Sequence, residues 1–395
     1  MSKLVKISLL TVGMIIASSS LMAQQSYTGQ QGNYILTGLP ILLTAPDAIS
    51  SAMGDVGAAT TPDIYSSHWN NAKFAFAEEK FSIGTTYTPW MRKLGVSDMN
   101  FLYLGGFYRF NSRNAFASSL TYFTTGEIDH TDEVGTVLGQ FTPYEISFDV
   151  TYSMKLTENL ALGASGRFMS SNLTNNIEVQ GQSTKAANAA AADVGLYYEN
   201  SIDQNQTVAA GLFISNLGSK LRYSDDDAQS DFLPANLRIG GRYSYDIDEY
   251  NRINLMADVN KMLVATPPIV DENTGEVYGR YSSYSEYQTL SAMQSAIYSF
   301  NDAPGGFREE IHELQLSVGG EYWYSNTFVA RAGYFYEHVT KGGRQYMTLG
   351  AGLRYNTFDF GISYLIPTTA LDNNPLSNTI RISLTWNMKK KGANI

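Results

Sequence analysis

Beyond Lys80 the chain consists of segments of about ten residues in which apolar and polar side chains alternate. A side-chain period of two places the two sets on opposite faces of a β-strand. In the last segment the apolar set is Ile380, Ile382, Leu384 and Trp386, and the polar set is Thr379, Arg381, Ser383 and Thr385. Strands of this length and pattern, separated by turn residues, are typical of transmembrane β-barrels.

The sequence contains fourteen such segments, an even number, as single-chain bacterial barrels have. They lie near 80–88, 99–110, 115–125, 144–154, 160–171, 187–199, 207–216, 235–245, 252–264, 311–325, 328–339, 344–355, 358–366 and 378–388. The sequence therefore predicts an all-β protein, an antiparallel transmembrane barrel of 14 strands. A soluble β-sandwich also has alternating strands, so the lengths of the connections between the segments must distinguish the two folds.

The connections are short after every second segment. The short ones are Asn111–Asn114, Lys155–Glu158, Asn200–Gln206, Asp246–Asn251, Ser325–Thr327 and Asn356–Thr357. Most of the others are much longer, and the longest covers residues 265–310. Outer-membrane barrels have short periplasmic turns and long extracellular loops, whereas a sandwich need not show this regularity. The pattern favours the barrel and places both chain ends in the periplasm.

The first 23 residues have the composition of an export signal. Lys3 and Lys6 precede a short apolar core, and Leu21-Met22-Ala23 ends in a small residue suited to signal peptidase. A membrane-anchoring helix, the alternative, would need about 20 apolar residues. The expected organisation is a signal peptide (1–23), an N-terminal plug or periplasmic segment (24–79), the barrel (80–388) and a periplasmic tail (389–395).

Composition excludes several functions. Charged residues make up 16%, against about 25% in typical soluble domains, and the 27 Tyr suit membrane interfaces. The absence of cysteine removes thiol chemistry, and a net charge of -10 disfavours nucleic acid as a partner. His68, His130, His312 and His338 are too dispersed to form a metal motif. We predict no catalytic, metal or cofactor site.

Many charged residues fall on the face predicted to point into the lumen. They are Glu145, Asp149, Arg238, Arg242, Asp258, Glu313, Glu321, Arg331, Glu337, Arg354, Asp359 and Arg381. Because both signs occur, a solvated or salt-bridged lumen is favoured over a selectivity filter. Such a lumen also disfavours a channel for apolar molecules.

The segment before the first strand carries a dense motif. Its residues include Pro46, Asp47, Met53, Gly54, Asp55, Gly57, His68, Trp69 and Asn70. In order and spacing it resembles the PorV family of outer-membrane barrels from the type IX secretion system of Bacteroidota, which belong to the FadL-type superfamily. Ile49 stands where that family often has Arg, and Asn71 where it often has Pro.

The resemblance implies a function and partners. PorV-like proteins associate with the giant translocon barrel, bind secreted substrates through their conserved C-terminal domains and pass them to the cell-surface attachment complex. The motif itself is interpreted as a plug or cap that closes the barrel floor, with Trp69 filling the lower barrel. Its aspartates are suited to accepting backbone N–H bonds in tight turns. Direct contact of the motif with a partner is the alternative.

The loop at 265–310 is the predicted partner-binding region, because aromatic residues and Met are enriched at protein interfaces. Its candidate residues are Tyr278, Tyr281, Tyr284, Tyr287, Leu290, Met293, Ile297, Tyr298 and Phe300. We expect a short helix over Gln288–Ser299 with Leu290, Met293 and Ile297 on one stripe. A loop that folds inward and closes its own barrel mouth is the alternative.

Three functions compete at this point. The first is the substrate-shuttling component of type IX secretion, with the outer membrane lipid around it. The second is a FadL-like channel for hydrophobic small molecules, which needs an apolar path through the lumen. The third is a lipid-modifying enzyme, which needs a nucleophile and a base near the membrane rim, and the sequence shows no such pair.

Overall fold

The computed structural model describes residues 33–92, 95–96, 98–131, 137–173, 178–179, 182–223, 230–270, 274–368 and 378–388. The predicted signal peptide and the predicted C-terminal tail lie outside these residues. Within them, no helix is both long enough and apolar enough to cross a membrane.

Fourteen strands, β1 to β14 in chain order, close into an antiparallel barrel and confirm the prediction. Their bounds are Phe81–Pro89, Asn100–Arg109, Asn114–Thr124, Tyr144–Lys155, Leu160–Asn172, Ala187–Ser201, Gln206–Gly218, Asn236–Asp246, Asn251–Met262, Leu314–Tyr324, Phe328–Tyr336, Gln345–Tyr355, Phe358–Pro367 and Ile380–Met388. Each strand pairs with its sequence neighbours, and β1 closes the cylinder against β14, with Phe81 opposite Met388. Closure leaves no edge whose backbone groups would lie unpaired in lipid.

The barrel wall has an apolar outside and a polar inside. In β14 the side chains of Arg381 and Ser383 are buried in the lumen, whereas Ile382 and Leu384 are exposed on the outer surface. All six predicted short connections lie at one end, called here the short-turn end, and the longer ones lie at the long-loop end. The two-residue period therefore predicted correctly which face of each strand lies on the apolar outer surface.

Two strand boundaries differ from the prediction by three residues, and the others differ by two or fewer. The strand expected at 311–325 begins at Leu314, because Phe307–His312 form a helix. The strand expected at 328–339 ends at Tyr336, because His338 caps a turn and its Nδ1 accepts from the Thr340 N–H at 3.3 Å.

Residues 33–79, the lumen segment, run through the barrel interior. The segment contains 3₁₀ turns at Pro40–Leu43, Ser50–Met53 and Asn71–Phe76 and the short helix α1 at Ser66–Trp69. It starts at the long-loop end, where the Asn33 N–H donates to the Thr340 carbonyl at 3.1 Å. It finishes at the short-turn end, where Arg109 donates to the Ala77 carbonyl. The segment thus extends from one end of the lumen to the other rather than lying only at its floor. Its first described residue lies opposite the predicted periplasmic side.

Where it is described, at 263–270 and 274–313, the long loop has three short helices: α2 (Tyr284–Thr289), α3 (Ala292–Tyr298) and α4 (Phe307–His312). The single helix expected at Gln288–Ser299 is interrupted, because Ser291 starts a new helix through a capping box with Gln294. Four two-stranded antiparallel sheets lie in the connections at the long-loop end. Their strands are Ile128–Thr131 with Val137–Phe141, Glu178–Val179 with Gln182–Ser183, Leu221–Arg222 with Ser230–Asp231, and Ile269–Val270 with Val277–Tyr278.

Candidate functional site: the filled lumen and the long-loop face

Asp258 on β9 anchors the middle of the lumen segment. One of its carboxylate oxygens accepts from the backbone N–H of Gly57 at 2.6 Å and of Ala58 at 2.8 Å. Arg238 on β8 lies 3.4 Å from the same oxygen. A buried carboxylate that accepts several N–H bonds binds a turn strongly, because the donors would otherwise be unsatisfied.

Asp47 and Trp69 of the family motif contact each other inside the lumen. The Trp69 indole N–H donates to Asp47 at 2.6 Å, and the other Asp47 oxygen accepts from the N–H groups of Ile49 and Ser50 at 2.7 Å each. Arg238 lies over the Trp69 ring at 4.5 Å. Both motif side chains are fully enclosed, so they hold the segment's own shape.

Asn70 and Asn71 attach the lower part of the segment to the wall. The Asn70 amide donates to the carbonyls of Ala58 and Leu196 at 2.9 Å each. The Asn71 amide donates to the Ser165 hydroxyl at 2.7 Å. Proline, which the family often has at this position, has no such donor. The departure at Asn71 therefore adds a wall contact that proline could not make.

Met53, Gly54 and Asp55 form a tight turn against β11 and β12. Gly54 has a φ of 68° and ends the 3₁₀ turn, which favours glycine at this position. Its N–H donates to the Thr348 hydroxyl at 2.8 Å, and the Tyr346 hydroxyl donates to Asp55. The Met53 side chain is buried against the neighbouring apolar side chains of the lumen.

Glycines in the wall let the segment's backbone lie directly against the strands. A Cβ placed on Gly211 of β7 would stand 1.9 Å from the carbonyl oxygen of Ala58. A Cβ on Gly333 of β11 would stand 2.0 Å from the carbonyl carbon of Met53. Neither neighbour is a flexible side chain, so both contacts need glycine.

The remaining motif residues are also in the lumen. Pro46 is buried, and His68 is half-buried with its ring 4.6 Å from that of the following Trp. The sequence reasoning missed Lys73, whose fully buried ammonium donates to the Gly57 carbonyl at 3.1 Å and the Thr60 hydroxyl at 2.7 Å. Its only sequence signal was its place within the motif, because a lysine is seldom fully buried.

A charged cavity of about 390 Å³ remains toward the short-turn end, between the lumen segment and the wall. Its arginines are each paired with a carboxylate, in the pairs Arg242–Glu199, Arg252–Asp246, Arg331–Glu321 and Arg354–Asp359. The predicted salt-bridged lumen is confirmed for these strand residues. Of the predicted inward charges, Glu313 and Glu337 instead lie beyond the strand ends at the long-loop end.

The long loop has two faces. Tyr281 and Tyr287 are buried in a cluster with Phe232, and Leu290 and Tyr298 are half-buried beside them. The other predicted residues are exposed, and they are Tyr278, Tyr284, Met293, Ile297 and Phe300. The predicted stripe therefore divides, with Met293 and Ile297 outside and Leu290 turned toward the barrel.

Two exposed apolar side chains on α4 were not predicted. Phe307 is 81% exposed and Ile311 lies on the same helix, half-exposed. The sequence prediction included Ile311 in the strand expected at 311–325, whereas the residue lies in α4. Together with Met293 and Ile297 they form what we call the outer face of the long loop.

Asp302 lies within the loop between α3 and α4. Its carboxylate accepts from the Thr266 N–H and the Tyr281 hydroxyl, both at 3.1 Å. Burial raises the pKa of Asp302 to about 7, and the nearby carboxylates of Glu313 and Glu310 add to the rise. The packing of this loop therefore favours the neutral carboxyl of Asp302 over the carboxylate, relative to a solvated aspartate.

A closed barrel with an outer apolar band, its lumen filled by its own N-terminal segment, is an outer-membrane barrel protein. The chain belongs to the PorV family: the model described as "Type IX secretion system protein PorV" matches residues 27–269. The match confirms the resemblance inferred from the motif around Pro46 to Asn70. The family is that of a secretion component.

Several solved barrels are similar to this chain. The toluene transporter TbuX of Ralstonia pickettii is 14% identical, with a TM-score of 0.48 over 87% of this chain and 98% of that one. The toluene transporter TodX of P. putida is 13% identical, with a TM-score of 0.49 over 87% and 99%. A FadL homologue of Pseudomonas aeruginosa is 10% identical, with a TM-score of 0.44 over 90% and 99%. No curated protein matches the sequence.

Proposed function

We propose that this protein binds secreted substrate proteins, through their C-terminal domains, as they leave the type IX translocon. It then carries them to the cell-surface attachment complex. Its partners are accordingly the giant translocon barrel, the substrates, the attachment complex and the surrounding outer-membrane lipid. A cleaved signal peptide delivers it to the outer membrane of a Bacteroidota cell. Membership of the PorV family supports this assignment.

The observation that carries the proposal is the outer face of the long loop. Met293 and Ile297 on α3 are 55% and 63% exposed, and Phe307 on α4 is more exposed still. These side chains lie at the long-loop end, where extracellular loops are found. Exposed Met and aromatic side chains remove much apolar area from water when a partner covers them.

The contents of the lumen support a binding protein over a channel for hydrophobic molecules. Among the described residues, the lumen segment occupies the barrel from Asn33 to Ala77. The cavity between this segment and the wall contains arginines paired with carboxylates. An apolar solute would have to displace buried, hydrogen-bonded groups such as Asp258, which is costly.

The test replaces two outer-face residues with small polar ones, Met293→Ser together with Ile297→Ser. The matched control is Ile202→Ser, since Ile202 is 56% exposed in a turn at the opposite end of the barrel. Tagged proteins are purified in detergent from cells that secrete substrates, and the bound proteins are identified by mass spectrometry.

We expect the loop variant to recover at least about ten-fold less of the proteins that share a C-terminal domain, equivalent to about 1.4 kcal/mol of binding. The translocon barrel and the Ile202→Ser control should behave as wild type. Undiminished capture by the loop variant would remove the outer face from the mechanism. Recovery of only lipids or fatty acids by the wild type would favour the channel.

A further inference from the structure

The start of the lumen segment, residues 33–38, lies beneath the long loop and is called here the strap. Asn33 is buried and joins two loops at once. Its side-chain amide donates to the Pro267 carbonyl at 3.3 Å and to Glu309 at 3.2 Å, both in the long loop. Its backbone N–H donates to Thr340 in the next loop.

The rest of the strap packs against the same structure from inside the barrel. Ile35 contacts the cluster that contains Phe232, Tyr281 and Tyr287. The Gly38 N–H donates to the Phe232 carbonyl at 2.9 Å. The inner face of the long loop, which carries Tyr281 and Tyr287, is thus packed on the strap.

Buried ion pairs extend these contacts to the base of α4. Lys341 donates to Glu309 at 2.6 Å and to Glu313 at 2.9 Å. Lys261, at the end of β9, donates to Glu313 at 2.6 Å. Glu309 therefore connects Asn33 to a charged cluster that fixes both ends of the loop.

We propose that the strap is a positioning element that holds the long loop with its outer face exposed to a protein partner. The inference rests on the proposed function, because the partner is the secreted substrate. The strap hydrogen-bonds to Pro267 and Glu309 and packs on the inner face of the loop. The apolar side chains of Met293 and Ile297 are exposed to solvent. With Asn33, Ile35 and Gly38 in place, the loop keeps one conformation, so a substrate does not lose affinity to loop ordering.

The first experiment loosens the strap without touching the outer face. The variant Asn33→Ala/Ile35→Ser removes the two inward side chains. The matched control Tyr34→Ala/Leu36→Ser changes the alternate residues, which are 49% and 77% exposed. Limited trypsin digestion of the folded protein in detergent reports the loop directly, because Arg280 and Arg308 are exposed cleavage sites within it.

We expect cleavage in the long loop to become at least five-fold faster in the inward variant, and substrate capture to fall by a similar factor. The control should match the wild type in both measurements. Barrel integrity is checked by the heat-dependent gel shift, which should stay unchanged.

The second experiment restores the strap with a covalent bond. A Cβ on Gly38 would lie 3.3 Å from the Cβ of Asp231, near the spacing of about 3.5–4.5 Å in disulfides. The nearest other atom is the end of the Leu221 side chain, which can rotate. Because the chain has no cysteine, Gly38→Cys/Asp231→Cys forms one defined bridge. Added to the inward variant, the oxidised bridge should restore protection and capture, and reduction should remove both.

The outcomes separate the two proposals. Unchanged cleavage in the inward variant overturns the strap inference, whatever happens to capture. Faster cleavage with full capture, or no rescue by the oxidised bridge, also overturns it. If the strap variants alter cleavage as expected but Met293→Ser/Ile297→Ser captures normally, the proposed function fails instead.

Discussion

The lumen segment and the long loop are both irregular in sequence, but they differ in what they leave uncovered. Along the lumen segment, Val56, Trp69 and Phe74 are enclosed almost completely. In the long loop, Met293, Ile297 and other large apolar side chains remain in water. Both segments consist of turns and apolar residues, but the lumen segment is enclosed by the barrel wall and the long loop is partly exposed to solvent.

The difference separates residues used for folding from residues available for binding. The motif aspartates and Trp69 form hydrogen bonds within the lumen, and Asp258 of the wall receives two N–H groups of the segment. Side chains enclosed in this way cannot touch a partner while the segment stays in place. The family motif therefore lies in the interior of the barrel, and under the proposed function the outer face of the loop contacts the partner.

The comparison predicts the largest effect where the segment's backbone touches the wall. In Gly211→Val, the new side chain collides with the Ala58 carbonyl. The β7 backbone is held by strand pairing, and Ala58 is held by its hydrogen bonds to Asp258 and Asn70. We expect a barrel that fails to fold, because a clash between two fixed backbones exceeds the cost of about 1–3 kcal/mol of ordinary overpacking. Gly166→Val is the control, because a Cβ at Gly166 meets nothing within 4 Å. The folded fraction is read from the heat-dependent gel shift, and equal values for the two variants would show that the segment does not lie on β7.

A smaller effect is expected from removing the wall carboxylate. Asp258→Ala leaves the buried N–H groups of Gly57 and Ala58 without an acceptor and Arg238 without its carboxylate. We expect a loss of about 3–5 kcal/mol in the free energy of unfolding, measured by guanidinium titration in detergent. Asp246→Ala breaks a half-exposed ion pair and should cost about 1 kcal/mol or less. Similar losses for both variants would contradict an anchoring role of Asp258.

The barrel was predictable because lipid imposes one simple rule on every strand. Each outward position must be apolar and each strand must have two neighbours, so a period of two is visible in the sequence. The strand at Ile380–Met388 follows this rule over its whole length. The strand expected at 311–325 was wrong at its start, because Phe307–His312 form α4 and the apolar Ile311 would fall at an inward position, beside Glu313 in the alternation.

The interior was less predictable because it depends on contacts between distant residues. Asp258 and Gly57 are about two hundred positions apart, and no local pattern links them. The fully buried ammonium of Lys73 is similar, because its acceptors appear only once the segment has folded. The motif could be matched to a family, but its path through the lumen could not be read from spacing.

The two faces of the long loop predict a pH effect that leaves the barrel unchanged. Burial raises the pKa of Asp302 from 3.8 to about 7 in the closed loop, that is, the loop packed as in this structure. Between about pH 4 and about pH 7 the carboxyl therefore releases its proton more readily when the loop is opened and the carboxyl is solvated. Closed-loop stability should therefore fall as the pH rises from about 4 to about 7.

The two histidines at the base of the loop give the opposite trend. Burial lowers the pKa of His312 and His338, whose rings stack 3.6 Å apart, so the closed loop loses stability as the pH drops below 6.5. The two trends oppose each other in the wild type.

Asp302→Asn separates these trends, because the amide can still accept from Thr266 and Tyr281 but does not titrate. Hydrogen exchange of the α2 and α3 amides, corrected for the intrinsic rate, is measured at pH 5 and pH 8. The ratio of protection at pH 8 to that at pH 5 should be higher in the variant than in the wild type, with only the histidine trend remaining. Amides of α1, inside the lumen, provide the reference and should respond equally in both proteins. An identical pH response of the loop in the two proteins would mean that Asp302 is solvated, and that the inner face of the loop is not packed as closely as the lumen.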